Sequence, residues 1–118
     1  MGNPFVHIEL NTTDVDKAKG FYGQLFDWKL DDMPMADGTT YTMIGVGNGT
    51  AGGIMKHPMG GPSLWIPYVQ VDDVVSATAK AKSLGANLIR DVTEIPNVGW
   101  FSIFMDPTGG VIALFKPK

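Results

Sequence analysis

The chain of 118 residues contains no cysteine, which excludes a disulfide framework, a thiolate nucleophile and a cysteine-ligated metal centre, and suits a reducing compartment. Charge is sparse: 9 Lys and Arg against 12 Asp and Glu leave a net charge of -3. The basic residues form no stripe of the kind that neutralises phosphates, so neither nucleic acid nor an anionic membrane is expected as a partner. No apolar run approaches the roughly 18 residues that span a bilayer, and the opening MGNPFVHIEL lacks the basic and apolar regions of a secretion signal. A cytoplasmic location and a small organic molecule as partner are the expectations. A chain of this length fits one domain, residues 1–118, with an ordinary hydrophobic core.

What is present is a repeat. His7 corresponds to Ile66, Asp14-Val15 to Asp73-Val74, Ala18 to Ala77, Leu25 to Leu84 and Leu30 to Ile89, all at one constant offset. Residues 5–11 alternate, with Val6, Ile8 and Leu10 on one face and His7, Glu9 and Asn11 on the other, which is the period of a half-buried strand. Thr13 and Asp14 are capping residues for a helix whose apolar positions Val15, Ala18, Tyr22 and Leu25 run to about Phe26. Strands are predicted over 28–32, 39–46 and 53–56. Asn48-Gly49-Thr50 with Gly52-Gly53 has the glycine content of a phosphate cradle, but no Lys-Ser/Thr follows and no helix opens there, so it reads as a turn.

The stretch 57–63, HPMGGPS, is a Pro-Gly linker. A second unit follows: strand 64–71 with Ile66, Tyr68 and Gln70 facing away from the helix, a helix capped by Asp72 or Asp73 with a stripe of Val74, Ala77, Ala81 and Leu84, Gly85 as its left-handed end, and strands at about 87–92, 99–105 and 110–116. Asp106-Pro107-Thr108-Gly109 marks the turn between the last two. The reading is α+β, with two βαβββ modules at about 4–56 and 64–117. Neither can bury its sheet alone, so the expected form is a cupped, partly open mixed sheet with the helices outside. Open sheet edges favour a homodimer.

The string His7-Ile8-Glu9-Leu10, Asp14-Val15-Asp16-Lys17-Ala18, Phe21-Tyr22, Val71-Asp72-Asp73-Val74, Leu84-Gly85 and Asp106-Pro107-Thr108-Gly109 resembles the vicinal oxygen chelate superfamily, the group of glyoxalase I, bleomycin resistance proteins and extradiol dioxygenases. The likeness runs through essentially the whole chain and extends, through Phe26-Asp27-Trp28 and Asn97-Val98-Gly99, to single-domain bacterial glyoxalase-like proteins. It implies paired βαβββ modules around a cup. In metal-using members four ligands enter that cup, one from the first and one from the fourth strand of each module. Carried onto this sequence, those positions are His7, Met55 or Lys56, Ile66 and Ala113. Only His7 is a ligand type, and a catalytic divalent ion needs about three protein ligands. No metal and no other cofactor is expected.

His7 and Glu9, at i and i+2 on one face, are the candidate catalytic residues: a general acid-base pair tuned by burial and by each other. Tyr41, Lys56, Tyr68 and Trp100 are the candidate substrate-binding residues, with Trp65 and Phe101 completing an aromatic set in which alternation assigns about half to the core. Three readings stand side by side. One is a metal-independent lyase or isomerase, another a non-catalytic sequestering protein of the resistance type. The third is a metal-dependent glyoxalase or dioxygenase with non-standard ligands such as His7, Glu9 and His57.

Overall fold

The alternation that begins at Phe5 is realised as strand β1, Phe5–Thr12. In the computed structural model, which describes residues 2–118, there follow α1 (Val15–Leu25), β2 (Lys29–Pro34), β3 (Thr40–Gly45), β4 (Gly52–Lys56), β5 (Leu64–Gln70), α2 (Val74–Ser83), β6 (Asn87–Ile95), β7 (Gly99–Met105) and β8 (Val111–Pro117). The order is βαβββ twice, and the chain is α+β. Residues 7–66 form one compact unit; residues 67–118, with the segment ending at Val6, form the other.

In the first unit the strand order is β2-β3-β4-β1, antiparallel except for the parallel pair β1 and β4. Asp14 starts α1 because its carboxylate accepts the Lys17 N–H at 3.0 Å, satisfying a donor that the first helical turn leaves unpaired. The Phe26 N–H closes the other end on the Tyr22 carbonyl. Alternation sends Leu10, Ile44 and Ile54 to the helix side, where Val15, Ala18, Tyr22, Trp28 and Leu30 pack over them. Each such aliphatic contributes about 1.5–3 kcal/mol by leaving water. Thr42 is buried in the same layer and donates its hydroxyl to Asp32 at 2.7 Å; Asp32 also receives Lys19 of α1. Leu25 does not complete the inward stripe: it is the last residue of α1 and is 56 % exposed. The segment 57–63 is tied to the end of β1, since His57 N–H reaches the Thr12 carbonyl and the Ser63 hydroxyl bonds both Thr13 N–H and Thr12.

In the second unit the order is β5-β8-β7-β6, with β5 and β8 parallel and the other pairs antiparallel. Asp73 caps α2 by accepting the Ser76 N–H at 3.1 Å. Val74 and Thr78 are the buried residues of α2. Leu84, at its C-cap, lies exposed, and Gly85 takes the left-handed φ of +102° that the sequence assigns to it. The Asp106 carboxylate accepts the N–H groups of Thr108 and Gly110 at 2.7 and 3.0 Å, which builds the turn between β7 and β8. The N-terminal segment is held by Gln70, whose N–H bonds the Pro4 carbonyl and whose carbonyl receives the Asn3 amide. Among the described residues no helix is long and apolar enough to cross a membrane.

Candidate functional site

Because β1 alternates, the side chains that miss the helix-covered core of the first unit share its other face. There His7, Glu9 and Asn11 meet Tyr41 from β3. The Tyr41 hydroxyl lies 2.7 Å from His7 Nε2 and donates to Glu9 Oε1 at 2.9 Å. Asn11 Nδ2 donates to the second carboxylate oxygen, Glu9 Oε2, also at 2.9 Å. Glu9 is only 6 % exposed, so both oxygens of a buried carboxylate are hydrogen-bonded, the condition under which burying such a group is tolerable.

Proton positions follow from the bonding. The phenol has one proton and gives it to Glu9, so His7 Nε2 donates to the phenol oxygen. The neutral imidazole therefore carries its proton on Nε2 and its lone pair on Nδ1. Burial holds the His7 pKa below the ordinary 6.5, against the opposing pull of the Glu9 charge. His7 is thus a neutral base at physiological pH, linked through one phenol to a carboxylate.

Of the other expected site residues, Lys56 belongs to the first unit, and Tyr68 and Trp100 belong to the second. Lys56 is exposed at the end of β4, opposite Thr12, and alternation puts it on the other side of that strand from Met55. Tyr68 is buried in the second unit, its ring centroid 6.3 Å from that of Phe101. Trp100 takes the opposite parity. It shares the helix side of β7 with Ser102, which bonds Thr78 of α2, and lies beneath the ammonium groups of Lys116 and Lys118 at 5.4 and 5.1 Å from its ring centroid. Within the second unit Phe101 is an aromatic neighbour of Tyr68. Trp65 belongs to the helix side of the first unit, edge-on to Tyr22 at 5.4 Å and Trp28 at 6.4 Å. With Ile8, Phe26 and Val46 these rings line an open cavity of about 340 Å³. This cavity is on the side of β1 away from His7 and Glu9, and Ile8, 37 % exposed, lines it and is not a core residue.

Two members of the site were not singled out from sequence. Asn11 was visible in the alternation with His7 and Glu9, and its amide is the natural partner for a buried carboxylate. Gly53 was read as the end of a glycine-rich turn and the first residue of a strand, with no part in the site. It is paired within the sheet with both Glu9 and Met43, and a glycine inside a strand signals the close approach of another group. That group is Tyr41: a Cβ added at Gly53 would fall on its hydroxyl oxygen and adjoining ring carbons.

Two of the positions that carry ligands in metal-using members hold no donor atom in their side chains. Ile66 and Ala113 are buried aliphatic side chains, and His57 Nδ1 accepts the Met59 N–H of its own turn at 3.1 Å. Among the described residues no three His, Cys, Asp or Glu side chains gather where one ion can reach them.

Comparison with known proteins places this geometry in a family. The sequence profile of the Glyoxalase/Bleomycin resistance protein/Dioxygenase superfamily matches residues 5–114. The chain is 36 % identical over 110 residues to the Mycobacterium bovis protein named "Putative glyoxylase CFP32", covering 92 % of this chain and 42 % of that one. It is 21 % identical over 124 residues to the anthracycline biosynthesis protein DnrV of Streptomyces peucetius, covering 92 % of this chain and 45 % of that one. The chain therefore spans less than half the length of these curated relatives. Among solved structures, hypothetical protein BH1468 of Bacillus halodurans superposes with a TM-score of 0.74 at 16 % identity, covering 100 % of this chain and 96 % of that one. Methylmalonyl-CoA epimerase of Mycobacterium tuberculosis follows with 0.68 at 17 %, covering 97 % and 87 %. At these identities the structures show the fold alone. On the profile match and the CFP32 relative, the chain belongs to the Glyoxalase/Bleomycin resistance protein/Dioxygenase superfamily.

Proposed function

We propose that this chain binds a small organic carbonyl compound at the face formed by His7, Tyr41 and Glu9 and moves a proton on the carbon beside the carbonyl, as an isomerase or lyase does, without a metal. The observation that carries the reading is the Tyr41 hydroxyl bridging His7 Nε2 and Glu9 Oε1. The step balances within the chain. His7 Nδ1 takes the proton from carbon, the Nε2 proton passes to the phenol oxygen, and the phenol proton passes to Glu9. The imidazole then holds its proton on Nδ1, the carboxyl is neutral, and the substrate is an enolate; reversal returns the proton to a different atom or face. The neutral His7 that burial maintains is the form this step requires.

The test is solvent deuterium exchange, followed by proton NMR, into the hemithioacetal of methylglyoxal with glutathione and into a set of uncharged α-hydroxy ketones. Exchange above the spontaneous rate, reduced at least about 100-fold in Glu9→Gln, is the expected result. Saturable binding with no exchange would favour the second reading, a sequestering protein. Support for that reading comes from the aromatic cavity of Tyr22, Phe26, Trp28 and Trp65. Homodimerisation belongs to the same proposal: among the described residues β2 and β6 each end their strand order with a single neighbouring strand. Light scattering at about twice the chain mass supports it, and a clean monomer at micromolar concentration ends it.

A further inference from the structure

Gly53 is the Cα partner of Glu9 on one side and of Met43 on the other, so β4 lies between the strand that carries Tyr41 and the strand that carries His7 and Glu9. Adjacent strands are about 4.8 Å apart. The Tyr41 side chain must therefore cross β4 to reach its two partners, and it crosses at Gly53. A Cβ there would collide with the Tyr41 hydroxyl oxygen, Cζ and Cε2. The backbone of Gly53 is outside the left-handed region, so the local conformation does not itself require glycine. The neighbouring Gly52 is a different case. A Cβ at that position would run into the Ile8 carbonyl oxygen, a main-chain atom of the paired strand that cannot swing aside.

We infer that Gly53 is a positioning residue of the acid-base site: its bare backbone is the seat on which the Tyr41 phenol lies to bridge His7 and Glu9. This rests on reading those three residues as a proton-transfer group, yet hydrogen bonding tests it without any substrate. The atoms obstructed by an alanine at Gly53 are the far end of a side chain that can rotate away, so Gly53→Ala keeps the fold and loses the bridge. Sequence position alone conceals this, because two adjacent glycines look alike while one serves the sheet and the other serves the site.

The experiment measures the imidazole nitrogen shifts of His7 in uniformly 15N-labelled protein at pH 8, with His7→Gln assigning the signals against those of His57. In the parent chain His7 should show a single Nε2–H tautomer. Tyr41→Phe should give a tautomer mixture, and Gly53→Ala should give the same mixture with an unchanged far-ultraviolet circular dichroism spectrum. In a Tyr41→Ala background, Gly53→Ala should add no further change. If Tyr41→Phe shifts the tautomer and a folded Gly53→Ala does not, the seat is elsewhere and the inference is overturned while the bridge stands. If Tyr41→Phe leaves His7 unchanged, the bridge does not form, and the functional reading and the seat fall together. If Gly53→Ala unfolds the chain both alone and in the Tyr41→Ala background, glycine is a requirement of the backbone and the inference is wrong.

Discussion

Asn11 donates its amide to Glu9 Oε2 at 2.9 Å, and both side chains are buried two residues apart on β1. The amide is what lets a carboxylate remain there, since the other oxygen is already occupied by Tyr41. Removing one partner of a buried polar pair costs more than the net worth of the bond, because the survivor is left desolvated. Asn11→Ala should therefore destabilise the chain by about 1–3 kcal/mol in urea unfolding at pH 7. A loss within error of zero would show that solvent or another group takes over the carboxylate oxygen.

The His7 side of the site makes stability depend on pH. Its folded-state pKa lies below the ordinary 6.5 because burial disfavours the imidazolium. As pH falls through about 6.5 the unfolded chain binds this proton first. The contribution of His7 is therefore fully favourable above that value, declines as pH falls toward the folded-state pKa, and changes no further below it. His7→Gln should flatten this part of the profile. The Glu9 charge raises the His7 pKa, so Glu9→Gln should move the His7 titration midpoint, followed by NMR, still lower. A midpoint that rises in Glu9→Gln would show that the Glu9 charge does not raise the His7 pKa.

The aliphatic residues of the first unit separate packing from the groove. Ile54 has no exposed surface and shares one core cluster with Leu10 and Ile44, so Ile54→Ala removes buried methyl groups and leaves a cavity. The expected cost is about 2–5 kcal/mol by chemical denaturation. Ile8, on the same side of its sheet but 37 % exposed, should lose less than about 1 kcal/mol when truncated, consistent with a side chain that keeps access to water. Equal losses at the two positions would mean that the groove beside Ile8 is closed in solution.

The fold was legible because the signals that built it are local. Alternation marked β1, the pairs Thr13-Asp14 and Asp72-Asp73 marked the two helix starts, and Gly85 marked an end; each acts within one turn or strand. The helix stripes misled at Leu25 and Leu84, the last residue of α1 and the C-cap of α2, where periodicity continues but both side chains are exposed. In the site, His7 and Glu9 could be found from parity alone. Trp100 and Lys56 could not be oriented, since a set of aromatics or a strand-end lysine carries no mark of which face it will take. Tyr41 was named as a pocket residue, but its role as a bridge depends on the register of β3, β4 and β1 and on an absent side chain at Gly53. Register between strands distant in sequence is a tertiary property, and a missing atom leaves no pattern.

In the second unit a buried hydroxyl pair joins α2 to its sheet beside the apolar contact of Val74. Thr78 of α2 and Ser102 of β7 are 3 % and 0 % exposed, and their hydroxyl oxygens are 2.8 Å apart. Either hydroxyl can be the donor, so the pair tolerates reversal but not the loss of one member. Thr78→Val keeps shape and strands the Ser102 hydroxyl; Ser102→Ala strands that of Thr78. Each should cost about 1–3 kcal/mol as an unsatisfied buried group. The double variant Thr78→Val with Ser102→Ala removes both polar groups, so it should be less destabilised than the sum of the singles, with a coupling of about 0.5–3 kcal/mol. Strict additivity across the cycle in urea unfolding would mean that the two hydroxyls satisfy themselves independently, and that α2 is held to its sheet by Val74 and the remaining apolar contacts.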